Sequence, residues 1–265
     1  QTNIKTLENR GVQILGPFLG HLASGLQGIG RMAETNEIVD HAKLVLAQNG
    51  DMANQKIVVT AGGTKEPLDP IRVITNRSSG KMGFAIAEAA RDRGASVTVI
   101  TSSNENQPIA GVETVIAETV DEMASQTKIH AKKANVLIMA AAVSDWKPKV
   151  KSLEKLKKGE NHSLKLELTK SEDIIASINF KGLIKFGFAA ETENLIQNAK
   201  RKRKEKKLDL VIANHIKQEN SVFGSDTNKV VFIDKHGAED VPEMKKYDLG
   251  HLIIDRIKSI SDKKT

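Results

Sequence analysis

Ile57-Val58-Val59-Thr60-Ala61-Gly62-Gly63-Thr64-Lys65-Glu66-Pro67-Leu68-Asp69-Pro70-Ile71-Arg72-Val73-Ile74-Thr75-Asn76-Arg77-Ser78-Ser79-Gly80-Lys81-Met82-Gly83-Phe84 is the stretch on which the fold turns. Ile57–Val59 is an apolar run that empties into a polar loop rich in Gly, Pro, Ser and Thr. A helix is predicted from near Ser79. A strand that passes through small residues into a helix N-terminus leaves backbone N–H groups free, and the helix dipole adds positive potential there. Asn76, Ser78, Ser79 and Lys81 bring side-chain donors to the same place. The loop is long and polar, as expected of a segment that handles a ligand.

Downstream the pattern is regular. Strands are predicted over Lys56–Thr60, Ser96–Thr101, Val112–Ala117, Asn135–Ala140, Ile184–Phe188 and Asp209–Ala213. Helices are predicted over Ser79–Gly94, Thr119–Lys133, Glu172–Asn179, Glu193–Lys207 and Lys245–Ile260. Thr119 with Glu122 reads as a capping box. This alternation predicts an α/β fold: a Rossmann-like, mostly parallel sheet with helices on both faces. Ser163–Leu168 alternates in polarity, and Lys229–Asp234 with Glu239–Pro242 reads as a hairpin. These predict a small antiparallel extension and an edge that could pair with another subunit.

Residues 1–50 read differently. Gly11–Leu15 is a predicted short strand, Gly16–Met32 a glycine-rich loop and Ala33–Gln48 a helix stopped by Gly50. The segment is too small to own a core. It is expected to be an appended piece of another domain, with residues 51–265 forming the main one.

The chain has 265 residues, of which 39% are hydrophobic and 28% charged, as in a water-soluble globular protein. No apolar run nears the roughly 20 residues that span a bilayer, and no secretory leader pattern opens the sequence. No cysteine is present, which removes disulfides and thiolate chemistry and fits a cytoplasmic location. The net charge of +7 raises the expectation of an anionic partner, but aromatics at 3% argue against a base-stacking surface for single strands.

In open α/β sheets ligands bind beyond the carboxyl ends of the strands. The tips here carry Gly62 and Gly63, then Ala140-Ala141-Ala142-Val143-Ser144-Asp145, then Gly187-Phe188-Ala189-Ala190-Glu191-Thr192, then Ala213-Asn214. Small residues there let a flat or phosphorylated ligand approach the backbone, although alanines at strand tips also simply pack against helices. The G-x-G-x-x-G dinucleotide pattern does not follow the first strand, and no P-loop pattern is present. Lysines at 147, 149, 151, 155, 157 and 158 share a loop, and Lys200–Lys207 holds seven basic residues of eight. Most of these read as solvated; a pair at i and i+4 could share an inward face. Asp145 and Glu191 are the acids at the tips, suited to a ribose hydroxyl, a nucleotide's Mg²⁺ or a helix cap.

Residues 60–84, the Ala140–Asp145 run, Glu154-Lys155-Leu156-Lys157-Lys158 and Gly187–Thr192 together resemble phosphopantothenoylcysteine synthetase, the second half of a bacterial bifunctional coenzyme A biosynthesis flavoprotein, over roughly residues 55–260. Leu22-Ala23-Ser24-Gly25 with Gly28-Ile29-Gly30-Arg31-Met32 resembles the C-terminal end of its decarboxylase half. There Ser24 stands where that family has a functional cysteine. Residues 1–50 are therefore expected to be the remnant of a flavin-dependent decarboxylase domain, with FMN belonging to the part that this chain lacks.

The resemblance implies a ligase that joins 4′-phosphopantothenate to cysteine through an acyl-cytidylate, cleaving CTP to CMP and pyrophosphate. Asn76, Lys155 and Arg72 are the implied catalytic residues: Lys155 for the triphosphate, Asn76 for the acyl group in the second step, Arg72 assisting. Gly63, Ser78, Ser79, Ala140, Ala141, Asp145, Asp173, Ile174, Ile175, Phe188, Lys202 and Lys206 are the implied nucleotide-binding residues, with Asp145 also the implied Mg²⁺ ligand. A homodimer is implied, with 163–168 and 229–242 as its contact elements, and neither nucleic acid nor membrane as partner. The alternatives are the same reaction with ATP, since base contacts made by backbone separate CTP from ATP poorly, and a basic nucleic-acid-binding domain suggested by the 200–207 helix. Salt-dependent DNA binding without pyrophosphate release would mark the latter.

Overall fold

A computed structural model describes residues 2–103, 106–157, 163–191, 193–215 and 224–262. Lys158 and Thr192, named above, lie outside the described residues.

The main sheet has eight strands: β1 (Lys56–Ala61), β2 (Ser96–Thr101), β3 (Glu113–Ile116), β4 (Val136–Met139), β5 (Ile184–Glu191), β6 (Leu210–His215), β7 (Thr227–Ile233) and β8 (Ala238–Lys245). Their order is β3-β2-β1-β4-β5-β6-β7-β8. The first six strands run parallel, and β7 and β8 extend the sheet antiparallel. Val59 sits in register with Val99 on one side and Ile138 on the other. The chain therefore builds outward from β1, returns, and builds the other way from β4. A crevice opens at that reversal, above the carboxyl ends of β1 and β4.

Strand residues alternate between two cores, which is why they read as continuous apolar runs. Ile57, Val59, Val97, Val99, Ile138 and Phe186 meet helices α1 (Lys81–Arg91) and α4 (Lys246–Ser261) on one face. Val58, Ile100, Leu137 and Val211 meet α2 (Val120–Ala131), α3 (Leu195–Glu205) and the short helix Ile174–Ser177 on the other. The Thr119–Glu122 capping box forms as read.

Several local expectations are corrected. Gly11–Leu15 is not a strand. The loop read over Gly16–Met32 instead holds an antiparallel ribbon, Phe18–His21 with Gln27–Arg31, closed by the Leu22 N–H to Leu26 carbonyl bond at 2.9 Å. Glycines hid its alternation; at Gly20 a Cβ would sit 2.4 Å from the Arg31 Cδ that lies across it. Ser163–Leu168 is not a strand either. Leu168–Lys170 pairs with Trp146–Pro148, apart from the main sheet, and one further backbone bond, from the Lys149 N–H to the Glu167 carbonyl at 2.9 Å, continues the contact. The polar loop after β1 contains its own hairpin, Lys65–Pro67 with Val73–Thr75. Asp69 closes it by accepting the Ile71 and Arg72 N–H groups, both at 2.8 Å.

Upstream, helices Thr2–Asn9 and Thr35–Leu46 bury no residue of their own, and Leu19, Ile29 and Met32 are each more than 70% exposed. The second helix is nevertheless fastened to the main domain. Arg91 at the end of α1, 1% exposed, is hydrogen-bonded to the Asp40 carboxylate and to the Ala110 carbonyl at 2.8 Å.

Candidate functional site

The tips of β1 and β4 are stitched together. The Ala142 N–H donates to the Gly62 carbonyl at 2.8 Å, the Ser144 N–H to the Thr64 hydroxyl at 3.0 Å, and the Ala141 N–H to the Thr60 hydroxyl at 3.2 Å. Gly62 has φ of +83°, and a Cβ there would lie 2.4 Å from the Ser102 hydroxyl. A Cβ on Gly63 would lie 2.5 Å from the Asn76 carbonyl oxygen, and one on Gly83 would lie 2.6 Å from Ala61 Cβ. The bare glycines thus let the returning loop and the first turn of α1 press directly onto β1. The N-terminus of α1, with its unsatisfied N–H groups, is brought to the crevice.

Over these tips lies a cavity of about 490 Å³. It is lined by the loop Asn76–Gly83, the run Met139–Asp145, the segment Lys170–Ile175, the tip of β5 and one side of α3. Six basic side chains line it (Arg77, Lys81, Lys170, Lys202, Lys206, Lys246), against three acidic ones (Asp145, Glu172, Asp173). Glu172 is paired with Lys128 at 2.6 Å and Asp173 with Lys206 at 2.7 Å. The remaining balance favours an anion. Lys202 donates to the Phe188 carbonyl at 2.7 Å; burial, aided by the charge of Lys206, holds its pKa below the usual lysine range. Lys81 donates to the Gly224 carbonyl at 2.8 Å and to Asp226 at 2.7 Å.

Of the residues singled out in the sequence, Asn76, Ser78, Ser79, Ala140, Ala141, Asp145, Asp173, Ile174, Ile175, Phe188, Lys202 and Lys206 line this one cavity. Gly63, Arg72 and Lys155 do not. Gly63 bridges to Ala142 beneath the loop. Arg72 and Lys155 belong to a second unit clasped around buried Asp69: Arg72 donates to the Leu156 carbonyl at 2.9 Å, and the Leu156 N–H donates to Asp69 at 3.1 Å. Lys155 itself is exposed. The Asn76 side-chain nitrogen donates to the carbonyls of Ala142 and Val143, at 3.3 and 3.1 Å. Its oxygen is the remaining polar atom, and donation to a ligand requires exchange of one of these bonds.

Sequence reasoning missed Lys170, Ser171, Asn228 and Lys246 in the lining. Among the described residues the Ser171 hydroxyl is buried with no hydrogen-bond partner. Lys246 carried a signal: a lysine at the N-terminus of a helix opposes the dipole. It is 8% exposed, burial lowers its pKa, and it donates to the Ser225 carbonyl.

Among the described residues no three His, Cys, Asp or Glu converge as a metal cage. Asp145 is an exposed carboxylate at the rim, a donor set that suits Mg²⁺ brought in on nucleotide phosphates rather than one resident in the protein.

Residues 52–260 match the DNA/pantothenate metabolism flavoprotein C-terminal domain family. The chain belongs to that family. The coenzyme A biosynthesis bifunctional protein CoaBC of Escherichia coli K12 is 37% identical over 270 residues, covering 100% of this chain and 66% of that protein. CoaBC of Borreliella burgdorferi is 39% identical over 257 residues, covering 95% of this chain and 65% of that protein. The chain thus spans just under two thirds of the length of these relatives. The crystal structure of the C-terminal domain of a CoaBC protein superimposes with a TM-score of 0.68 at 30% identity, covering 80% of this chain and 98% of that one. The matched region of the flavoprotein C-terminal domain family contains the whole cavity; the ribbon and helices before Met52 lie outside it. Among the described residues no helix is long and apolar enough to cross a membrane.

Proposed function

We propose that the chain is a phosphopantothenate–cysteine ligase of coenzyme A biosynthesis, using CTP through an acyl-cytidylate. The observation that carries this reading is the basic cavity at the β1–β4 reversal, inside the region shared with the CoaBC relatives. In the first step a carboxylate oxygen of 4′-phosphopantothenate attacks the α-phosphorus of CTP. The bond to the β-phosphate bridging oxygen breaks, and pyrophosphate leaves with its electron pair. In the second, the cysteine amine attacks the acyl carbon, the acyl–oxygen bond breaks, CMP leaves, and the amine proton passes to solvent.

A carboxylate is a weak nucleophile, so positioning and charge neutralisation have most to contribute to the first step. Lys202, Lys206 and the α1 N-terminus, with Ser78 and Ser79, would hold the phosphates. Lys155, on the unit clasped by Asp69, would reach the triphosphate. Ile174, Ile175 and Phe188 would flank the base, with Ala140 and Ala141 offering backbone groups. Asp145 would hold the ribose or nucleotide-bound Mg²⁺, whose chemistry is to neutralise phosphate charge. Asn76, with Arg72 behind it, would face the acyl carbon. Residues 1–50 are proposed to be the remnant of a decarboxylase domain.

Pyrophosphate release with phosphopantothenate, cysteine, Mg²⁺ and either CTP or ATP tests the reading. Release with CTP well above that with ATP is expected. The converse would assign ATP, and no release with either would overturn the ligase reading.

A further inference from the structure

Lys185 is the second residue of β5, where alternation points its side chain into the core shared with α3 and the helix Ile174–Ser177. It is 5% exposed. The Asp209 carboxylate accepts the Lys185 backbone N–H at 2.9 Å and attracts the ammonium by charge, but among the described residues no carboxylate is hydrogen-bonded to Nζ. Instead Nζ donates to the carbonyls of Ile178 at 2.9 Å, Lys206 at 3.0 Å and Ile175 at 3.2 Å, with the Asn179 side-chain oxygen at 3.5 Å. Ile175 and Ile178 carry the closing carbonyls of the short helix, and Lys206 is the C-cap of α3. A buried cation here meets the negative ends of two helices and satisfies carbonyls that have no intrahelical donor.

Those two elements are adjacent parts of the cavity lining. One brings Asp173, Ile174 and Ile175; the other brings Lys202 and Lys206. They are already tied at the rim by the Asp173–Lys206 ion pair, whose side chains are 44% and 24% exposed. A solvent-facing pair is a weak tie. The buried ammonium beneath it is the second tie, and it draws the walls together from inside the core.

We propose that Lys185 is a positioning residue for the nucleotide: it sets the spacing between the Ile174–Ile175 wall and the Lys202–Lys206 wall. The inference rests on the ligase reading above and deepens it. Lys185 touches no ligand, and its effect passes through the helix ends that it binds.

The test is Lys185→Met, which keeps the stem and removes the donors. KM for the nucleotide should rise about 10- to 100-fold, the scale of an ångström-sized misplacement, while KM for phosphopantothenate stays within about twofold. Amide hydrogen exchange should accelerate over residues 174–179 and 205–209 and not in α1. If Lys185→Met does not fold, Lys185→Gln, which retains a two-donor amide, carries the same measurements with a smaller rise. A folded variant with wild-type nucleotide KM, or with both KM values raised equally, overturns the proposal. A wild-type chain that releases no pyrophosphate overturns the ligase reading itself and nucleotide positioning with it.

Discussion

Single side chains at this site have separable tasks. Lys155→Gln should abolish pyrophosphate release, since it removes the charge meant for the triphosphate. Asn76→Asp should leave the first half-reaction and block the second, because a carboxylate cannot donate to the developing oxyanion. Rapid-quench detection of accumulating acyl-cytidylate checks this, and equal loss of both steps would refute the division. Lys202 supplies a pH signature. Its partly buried ammonium loses its proton at lower pH than an ordinary lysine, so attraction for an anionic nucleotide is present below that value and lost as pH rises through it. The kcat/KM profile should fall on the alkaline side before pH 10.5, the ordinary lysine value. Lys202→Arg, which does not titrate there, should flatten that limb. An i, i+4 basic pair on the 200–207 helix was visible as helical spacing, and the family resemblance placed it at Lys202 and Lys206. Lys246 and Lys185 were not singled out, because a lysine near the end of an element reads as solvated until the packing around it is known.

At the scale of elements, two contacts position the site. The first turn of α1 rests on β1 through Gly83, where a Cβ would lie 3.0 Å from the Thr60 carbonyl oxygen as well as against Ala61. Gly83→Ala should cost about 1–3 kcal/mol and weaken nucleotide binding, because the helix N-terminus is displaced from the crevice; denaturant melts and a nucleotide titration read the two effects. The helix Thr35–Leu46 is held by Asp40 on buried Arg91. Burial alone would raise the Asp40 pKa, but the Arg91 hydrogen bond and the Ala110 N–H outweigh it and hold the carboxyl below its usual range. Its stabilisation is therefore complete above the unfolded value near ~4 and lost as pH falls through the depressed folded value. Asp40→Asn should cost about 1.5 kcal/mol at neutral pH, the scale of one hydrogen bond to a charged group, because Asp40 is only partly buried and Arg91 keeps Asp92 at 2.6 Å. The gap from wild type should narrow on acidification, which thermal melts across pH measure. The ribbon at 18–31 and the Asp69 hairpin escaped the sequence because glycines and prolines mask alternation in strands of three to five residues.

For the molecule as a whole, the homodimer implied by the family resemblance is proposed as its assembly. Val150, Leu153, Leu164 and Leu166 are 45–88% exposed on the segments beside the Trp146–Pro148 ribbon, more than scattered single exposures require. The proposed homodimer predicts that the wild type sediments at twice the chain mass and that Leu164→Ser with Leu166→Ser shifts it to monomer; a monomeric wild type would refute it. The sequence alone determined the parallel α/β plan, because buried strands, capped helices and their alternation are local patterns repeated over many residues. It also brought the strand tips forward as the place for an anion, because small residues before a helix N-terminus have a local meaning. Only the tertiary structure decided the strand order β3-β2-β1-β4-β5-β6 and hence which tips share a crevice. It alone set Arg72 and Lys155 on a separate Asp69-centred unit and gathered two helix ends on Lys185. These are contacts between residues 7 to 87 positions apart, fixed by which surfaces can be buried together rather than by any local preference.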